Sequence, residues 1–132
     1  IPHTICHELS HLKGFMREDE ANFIACLACS FSEDRAFRYS GYLLGWIHAT
    51  NALADVDRDA YQKCVARLET EVREDLARNN QFWDRYDTKT AKVANQINDT
   101  YLKANLQEDG VKSYGRVVDL MLAYRKLEKS GE

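Results

Sequence analysis

Apolar positions recur at helical spacing along most of the chain, and no strand-length alternation stands out. A first segment runs from about Pro2 or Thr4 to Lys13. Proline is acceptable in a first turn, and Gly14 supplies a left-handed stop. The spacing predicts a second helix over about Arg17 to Phe31, with Glu18, Asp19 and Glu20 suiting the positive end of its dipole. Ser32 is the expected cap of a third helix, with Glu33 and Asp34 in its first turn, reaching about Ala54. Within it Gly41 and Gly45 lie four apart, stripping one side for a close helix crossing. Asp55 and Asp57 are expected to open a fourth helix to about Arg78, with Tyr61, Val65, Leu68, Val72 and Leu76 on its apolar face. Asn79 and Asn80 are the expected break. A fifth helix, about Phe82 to Lys103, leads to a polar loop through Asn105 and Gly110, and a last helix covers about Val111 to Leu127. The predicted fold class is all-α, a bundle of about five to six helices.

Composition strengthens this reading. A single Pro and six Gly are too few turn residues for a β-sandwich or barrel of 132 residues, a length that holds one domain. A net charge of −3 argues against a nucleic-acid partner, which calls for a basic stripe. No run of about 18 apolar residues is present to span a bilayer. The nearest stretch, Tyr39 to Ala54, is short and carries Ser40, His48 and Asn51. Cys26 and Cys29 sit inside a helical run rather than in loops. The four cysteines, with Cys6 and Cys64, therefore read as reduced, buried thiols in a cytosolic setting. The opening Ile1-Pro2-His3, without Met, is expected to be the start of a piece of something longer.

The chemistry concentrates near that start. His7-Glu8-Leu9-Ser10-His11 is a His-Glu-x-x-His motif on the first helix. Residues four apart on a helix are offset by about 40° and one turn, so both imidazoles converge on one point. That point suits Zn2+, whose bonds to imidazole nitrogen are about 2.0–2.1 Å. Glu8, one step round from His7, is placed to act as a general base on water at the metal's open position. A third ligand is needed, and the second helix offers three carboxylates. Glu18 and Glu20 lie about 200° apart round its axis, so only one of them can face the metal. Glu18 shares its face with the small residues Ala21, Asn22, Ala25 and Cys29, the face able to approach the first helix closely. Glu20 shares its face with bulky Phe23, Ile24 and Leu27. Glu18 is the expected ligand and Glu20 the fallback. Asn22, one turn on, is placed to hydrogen-bond a ligand histidine.

At these residues the chain resembles the gluzincin metallopeptidases, in which a His-Glu-x-x-His helix is followed by a Glu-x-x-Ala-(Asn/Asp) helix carrying the third ligand. Here those residues are His7 to His11 and Glu18-Asp19-Glu20-Ala21-Asn22. More closely, the stretch from Cys6 to Cys29 is similar to a bacterial family of membrane-anchored, predicted zinc metallopeptidases of unknown function. So are Asn98-Asp99-Thr100-Tyr101-Leu102-Lys103 and Ser113-Tyr114-Gly115-Arg116-Val117-Val118-Asp119. That similarity implies zinc on His7, His11 and Glu18, with Glu8 as general base. It also implies a helical zincin-like domain over residues 1–132, in the C-terminal part of a protein anchored by transmembrane helices upstream, with this domain on the cytoplasmic side. Two features depart from the gluzincin pattern. Six residues separate His11 from Glu18, fewer than in the thermolysin-like branch, and the strand that holds substrate in such enzymes has no counterpart in this chain.

Peptide hydrolysis also requires a donor for the developing oxyanion. Tyr101, Tyr114 and Arg116 are the candidates, near the polar loop between the last two helices. His48 reads as a packing histidine, and His3 falls in a first turn expected to fray. The leading function is zinc-dependent hydrolysis of a peptide or protein substrate. The alternative is a helical interaction domain with a vestigial or structural metal site, suggested by roughly a hundred further residues of amphipathic helix without a catalytic signature.

Overall fold

Residues 2–84 and 116–131 are described by a computed structural model of the chain, and they are all-α, with no strand among them. The helices are α1 (Pro2–Leu12), α2 (Glu18–Ser30), α3 (Arg35–Val56), α4 (Arg58–Ala66), α5 (Thr70–Asp84) and α6 (Val117–Ser130). The chain divides into two compact units. One comprises Ile1–Val56 with Lys112–Glu132, and the other Asp57–Val111.

In the first unit α2 packs against α1, α3 and α6. Its buried residues are small: Ala21, Ala25 and Cys29 are fully buried and Cys26 nearly so. Small side chains let helix backbones approach, and α3 meets them with its glycines. A Cβ on Gly41 would lie 2.5 Å from Cys29 Cβ and 3.1 Å from the Cys26 carbonyl oxygen. A Cβ on Gly45 would lie 3.1 Å from Met121 Cε of α6. The Gly41/Gly45 pair thus makes the close crossing expected of it. Val117, at the start of α6, is the largest fully buried side chain among the described residues.

In the first unit, helix ends depart from the sequence reading in two places. Asp34, not Ser32, caps α3: its Oδ1 accepts the Ala36 N–H at 2.7 Å and the Phe37 N–H at 3.4 Å. Ser32 instead accepts the Asp34 N–H, bracing the capping residue itself. The first turn of α1 is tied down rather than frayed. Buried Ser40 on α3 accepts the His3 backbone N–H at 3.1 Å, and its Oγ lies 2.8 Å from His3 Nδ1.

In the second unit the single helix expected up to Arg78 is two. α4 is capped by Asp57, which accepts the Ala60 N–H at 2.9 Å, and it stops at Ala66 although no Gly or Pro follows. The Arg73 guanidinium donates to the carbonyls of Ala66 and Leu68, at 2.8 and 3.0 Å. The Ala66 carbonyl is one that the end of α4 leaves unpaired. Asn79 and Asn80 do not break α5, which continues to Asp84. Among the described residues no helix is long and apolar enough to cross a membrane.

Candidate metal centre

Two helix ends and one turn build the centre. α1 closes in a Schellman arrangement: the Gly14 N–H bonds the His11 carbonyl at 3.0 Å and the Phe15 N–H bonds the Ser10 carbonyl at 3.2 Å. Gly14 takes φ +99°, a left-handed conformation that glycine adopts without strain. The turn leaves the Phe15 carbonyl over the last turn of α1, where it accepts the His11 Nδ1–H at 2.7 Å. α2 then starts at Glu18. Beside it Asp19, 2% exposed, is clamped by the Arg17 guanidinium through Nε at 3.2 Å and Nη2 at 3.0 Å. A buried carboxylate needs such a partner, and the clamp fixes the turn that carries Glu18.

The structure brings His7, His11 and Glu18 together. His7 Nε2 lies 3.1 Å from His11 Nε2 and 3.2 Å from Glu18 Oε2, and His11 Nε2 lies 3.5 Å from Glu18 Oε1. The two rings stand nearly perpendicular, at 88°. On the far side of the His7 ring, Nδ1–H donates to Asn22 Oδ1 at 2.9 Å. Each Nδ1 faces an oxygen acceptor, so in both rings Nε2 is the nitrogen turned toward the shared point.

The dimensions suit zinc. Tetrahedral coordination at about 2.0–2.1 Å gives ligand–ligand edges of about 3.3–3.4 Å, against the observed 3.1 to 3.5 Å. The donor set, two imidazoles and one carboxylate, matches zinc chemistry. The three side chains retain 16%, 24% and 18% exposure, for His7, His11 and Glu18 respectively. Three candidate ligands with a solvent-facing side would make an open site rather than a closed structural one. Among the described residues this is the group of His, Cys, Asp and Glu whose ligand atoms come together in this way.

The remaining predicted residues sort by position. Asn22 touches the cluster through His7. Glu20, the fallback ligand, turns to Arg17, with its carboxylate 3.8 Å from Nε. Glu8 is exposed on α1, next to His7. Arg116 is the exposed N-cap residue of α6. Tyr101 and Tyr114 lie outside the described residues. His48 is half-buried on α3, and burial, with the charge of His3, lowers its pKa. Sequence reasoning did not single out the Phe15 carbonyl or the Arg17–Asp19 clamp.

No curated protein and no solved structure matches the chain. Residues 1–122 match the family model described as "Protein of unknown function (DUF3810)", a match that spans the whole His7–His11–Glu18 centre, and the chain belongs to that family.

Proposed function

We propose that this chain is the zinc-binding domain of a metallopeptidase that hydrolyses peptide bonds. The observation that carries the reading is the convergence of His7, His11 and Glu18, with each imidazole oriented through its other nitrogen. Zinc held there would supply a Lewis acid for the scissile carbonyl and for water. His7 and His11 bind through Nε2 while Asn22 and the Phe15 carbonyl hold their rings in place. Glu18 adds one negative charge, leaving a centre with net positive charge that favours a developing oxyanion. Glu8 takes the proton of the attacking water on its carboxylate and passes it to the leaving amine. Tyr101, Tyr114 and Arg116 remain the proposed oxyanion donors. Anchoring in a membrane upstream, with the domain on the cytoplasmic side, rests on the resemblance to membrane-anchored metallopeptidases.

Metal analysis tests the site and kinetics test the reaction. One zinc per chain is expected in the wild type and in Glu20→Ala, with loss in His7→Ala and Glu18→Ala. Glu8→Gln should retain zinc and lose peptidase activity by about 10²–10⁴-fold, the usual contribution of a general base. A Glu8→Gln protein that cleaves as fast as wild type overturns the mechanism. The interaction-domain reading draws on the opposite side of α1, where Ile5, Leu9 and Leu12 are 51%, 50% and 82% exposed. A metal-replete protein that binds no zinc would favour it.

A further inference from the structure

The metal centre does not use Cys6 or Cys29, yet the fold brings them together from residues 23 apart in sequence. The Cys29 S–H donates to Cys6 Sγ across 3.5 Å, and both are free thiols. Their environments differ. Cys29 is fully buried on α2, with its Cβ against the α3 backbone at Gly41. Burial and the neighbouring Cys6 push its thiol up to about 12, so it stays protonated. Cys6 is half-buried on α1, immediately before His7, and it is the member of the pair that a small solute can reach. Cys26, the other buried thiol of α2, lies on the side facing Gly45 and is pushed up to about 11 by burial.

We propose that Cys6 and Cys29 are a peroxide-oxidisable pair whose disulfide staples α1 to α2 beside the metal centre. The oxidant is hydrogen peroxide or an organic hydroperoxide. Cys6 sulfur attacks one peroxide oxygen, the O–O bond breaks, and water (or the alcohol) leaves together with the thiol proton, so that Cys6 becomes a sulfenic acid. Cys29 sulfur then attacks Cys6 sulfur. The S–S bond forms, the S–O bond breaks, and the hydroxyl leaves as water with the Cys29 proton. The pair loses two electrons and the peroxide gains them.

A disulfide bond is about 2.05 Å long, so the sulfurs need approach by only about 1.5 Å from their present contact. The buried partner gives the step its selectivity. A sulfenic acid at Cys6 meets a thiol already in contact and is captured before further oxidation. Cys29 itself is shielded from direct attack. The bridge would join the residue before one ligand, His7, to the helix that starts with another, Glu18. It requires no metal, so its test is independent of the peptidase reading.

The test treats the full chain with hydrogen peroxide, in zinc-loaded and in chelated form, and maps the products by non-reducing tryptic digestion with mass spectrometry. The expected product is the peptide carrying Cys6 joined to the peptide carrying Cys29 and two hydrogens lighter than their sum, with fragmentation placing the bond at Cys29 rather than Cys26. Dithiothreitol should reverse it, and the oxidised protein should melt at a higher temperature than the reduced one. Cys26→Ser should keep the bridge. A bond to Cys26 or between chains, terminal oxidation of Cys6 to sulfinic acid without a bridge, or an unchanged melting temperature would each overturn the proposal. Because the wild-type chain is mapped, the result does not depend on whether a Cys29 variant folds.

Discussion

Asn22 holds His7 by one hydrogen bond of 2.9 Å, and nothing else in its side chain reaches the ligand atoms. Replacing it with Ala should therefore leave the donor set whole while freeing the ring and its tautomer. Loss of such an outer contact usually weakens metal affinity by about 10–100-fold. A competition titration against a chromophoric zinc chelator would read that shift, and an unchanged affinity would remove Asn22 from the site. Asn22 was legible in the sequence because side chains one helical turn apart share a face. So was the choice of Glu18 over Glu20, which the structure turns toward Arg17. The Phe15 carbonyl was not, since every residue carries a backbone acceptor and only the turn decides where it points. Asp19 was legible as a carboxylate but not as a buried one, because its burial depends on Arg17 folding back two residues.

Among the elements, α2 and α3 depend most on the absence of side chains. The Cβ that Gly41→Ala introduces would meet Cys29 Cβ at 2.5 Å, the Cys26 carbonyl oxygen at 3.1 Å and the Ser30 nitrogen at 3.2 Å. Two of these are backbone atoms and the third is fixed to the backbone, so the helices must separate. A destabilisation of about 1–3 kcal/mol is expected, as for other overpacked cores, visible as a lower urea midpoint. Gly45→Ala meets the mobile end of Met121 at 3.1 Å and Cys26 Sγ at an ordinary 4.0 Å, and should lose less. An equal loss at both positions would contradict this account of the crossing. The glycine spacing announced the crossing, whereas the boundaries escaped. α4 ends without Gly or Pro, its Ala66 carbonyl taken by the Arg73 guanidinium of the following helix. α5 runs through Asn79 and Asn80, since Asn in a helix interior costs only a fraction of a kcal/mol, about 0.7 or less.

For the whole molecule, the all-α class was readable from composition and periodicity together, and what it hid was how stability responds to solution conditions. Burial lowers the His48 pKa below its ordinary 6.5, with the charge of His3 adding to it, and burial lowers His3 as well. The folded chain thus favours the neutral rings, while the unfolded chain takes up protons at a higher pH. Stability is then greatest above pH 6.5 and declines as pH falls from there toward the lowered values. Urea unfolding on both sides of that pH should show the slope, and His48→Asn should flatten it. Zinc bound as proposed would act on the same equilibrium by mass action. At about a hundredfold excess over its dissociation constant, a ligand confined to the native state adds about 2.7 kcal/mol. Melting should therefore shift upward with zinc in the wild type and not in His7→Ala.

The link between α1 and α2 has a consequence for how this chain tolerates change. Exposed connections usually accept added or deleted residues. Here the stretch from Lys13 to Arg17 is a ruler. Its second residue closes α1, its third supplies the oxygen that orients His11, and its last anchors the turn that presents Glu18. One inserted residue would put these three out of phase, so the segment is locked in length as well as in the identity of Gly14 and Arg17.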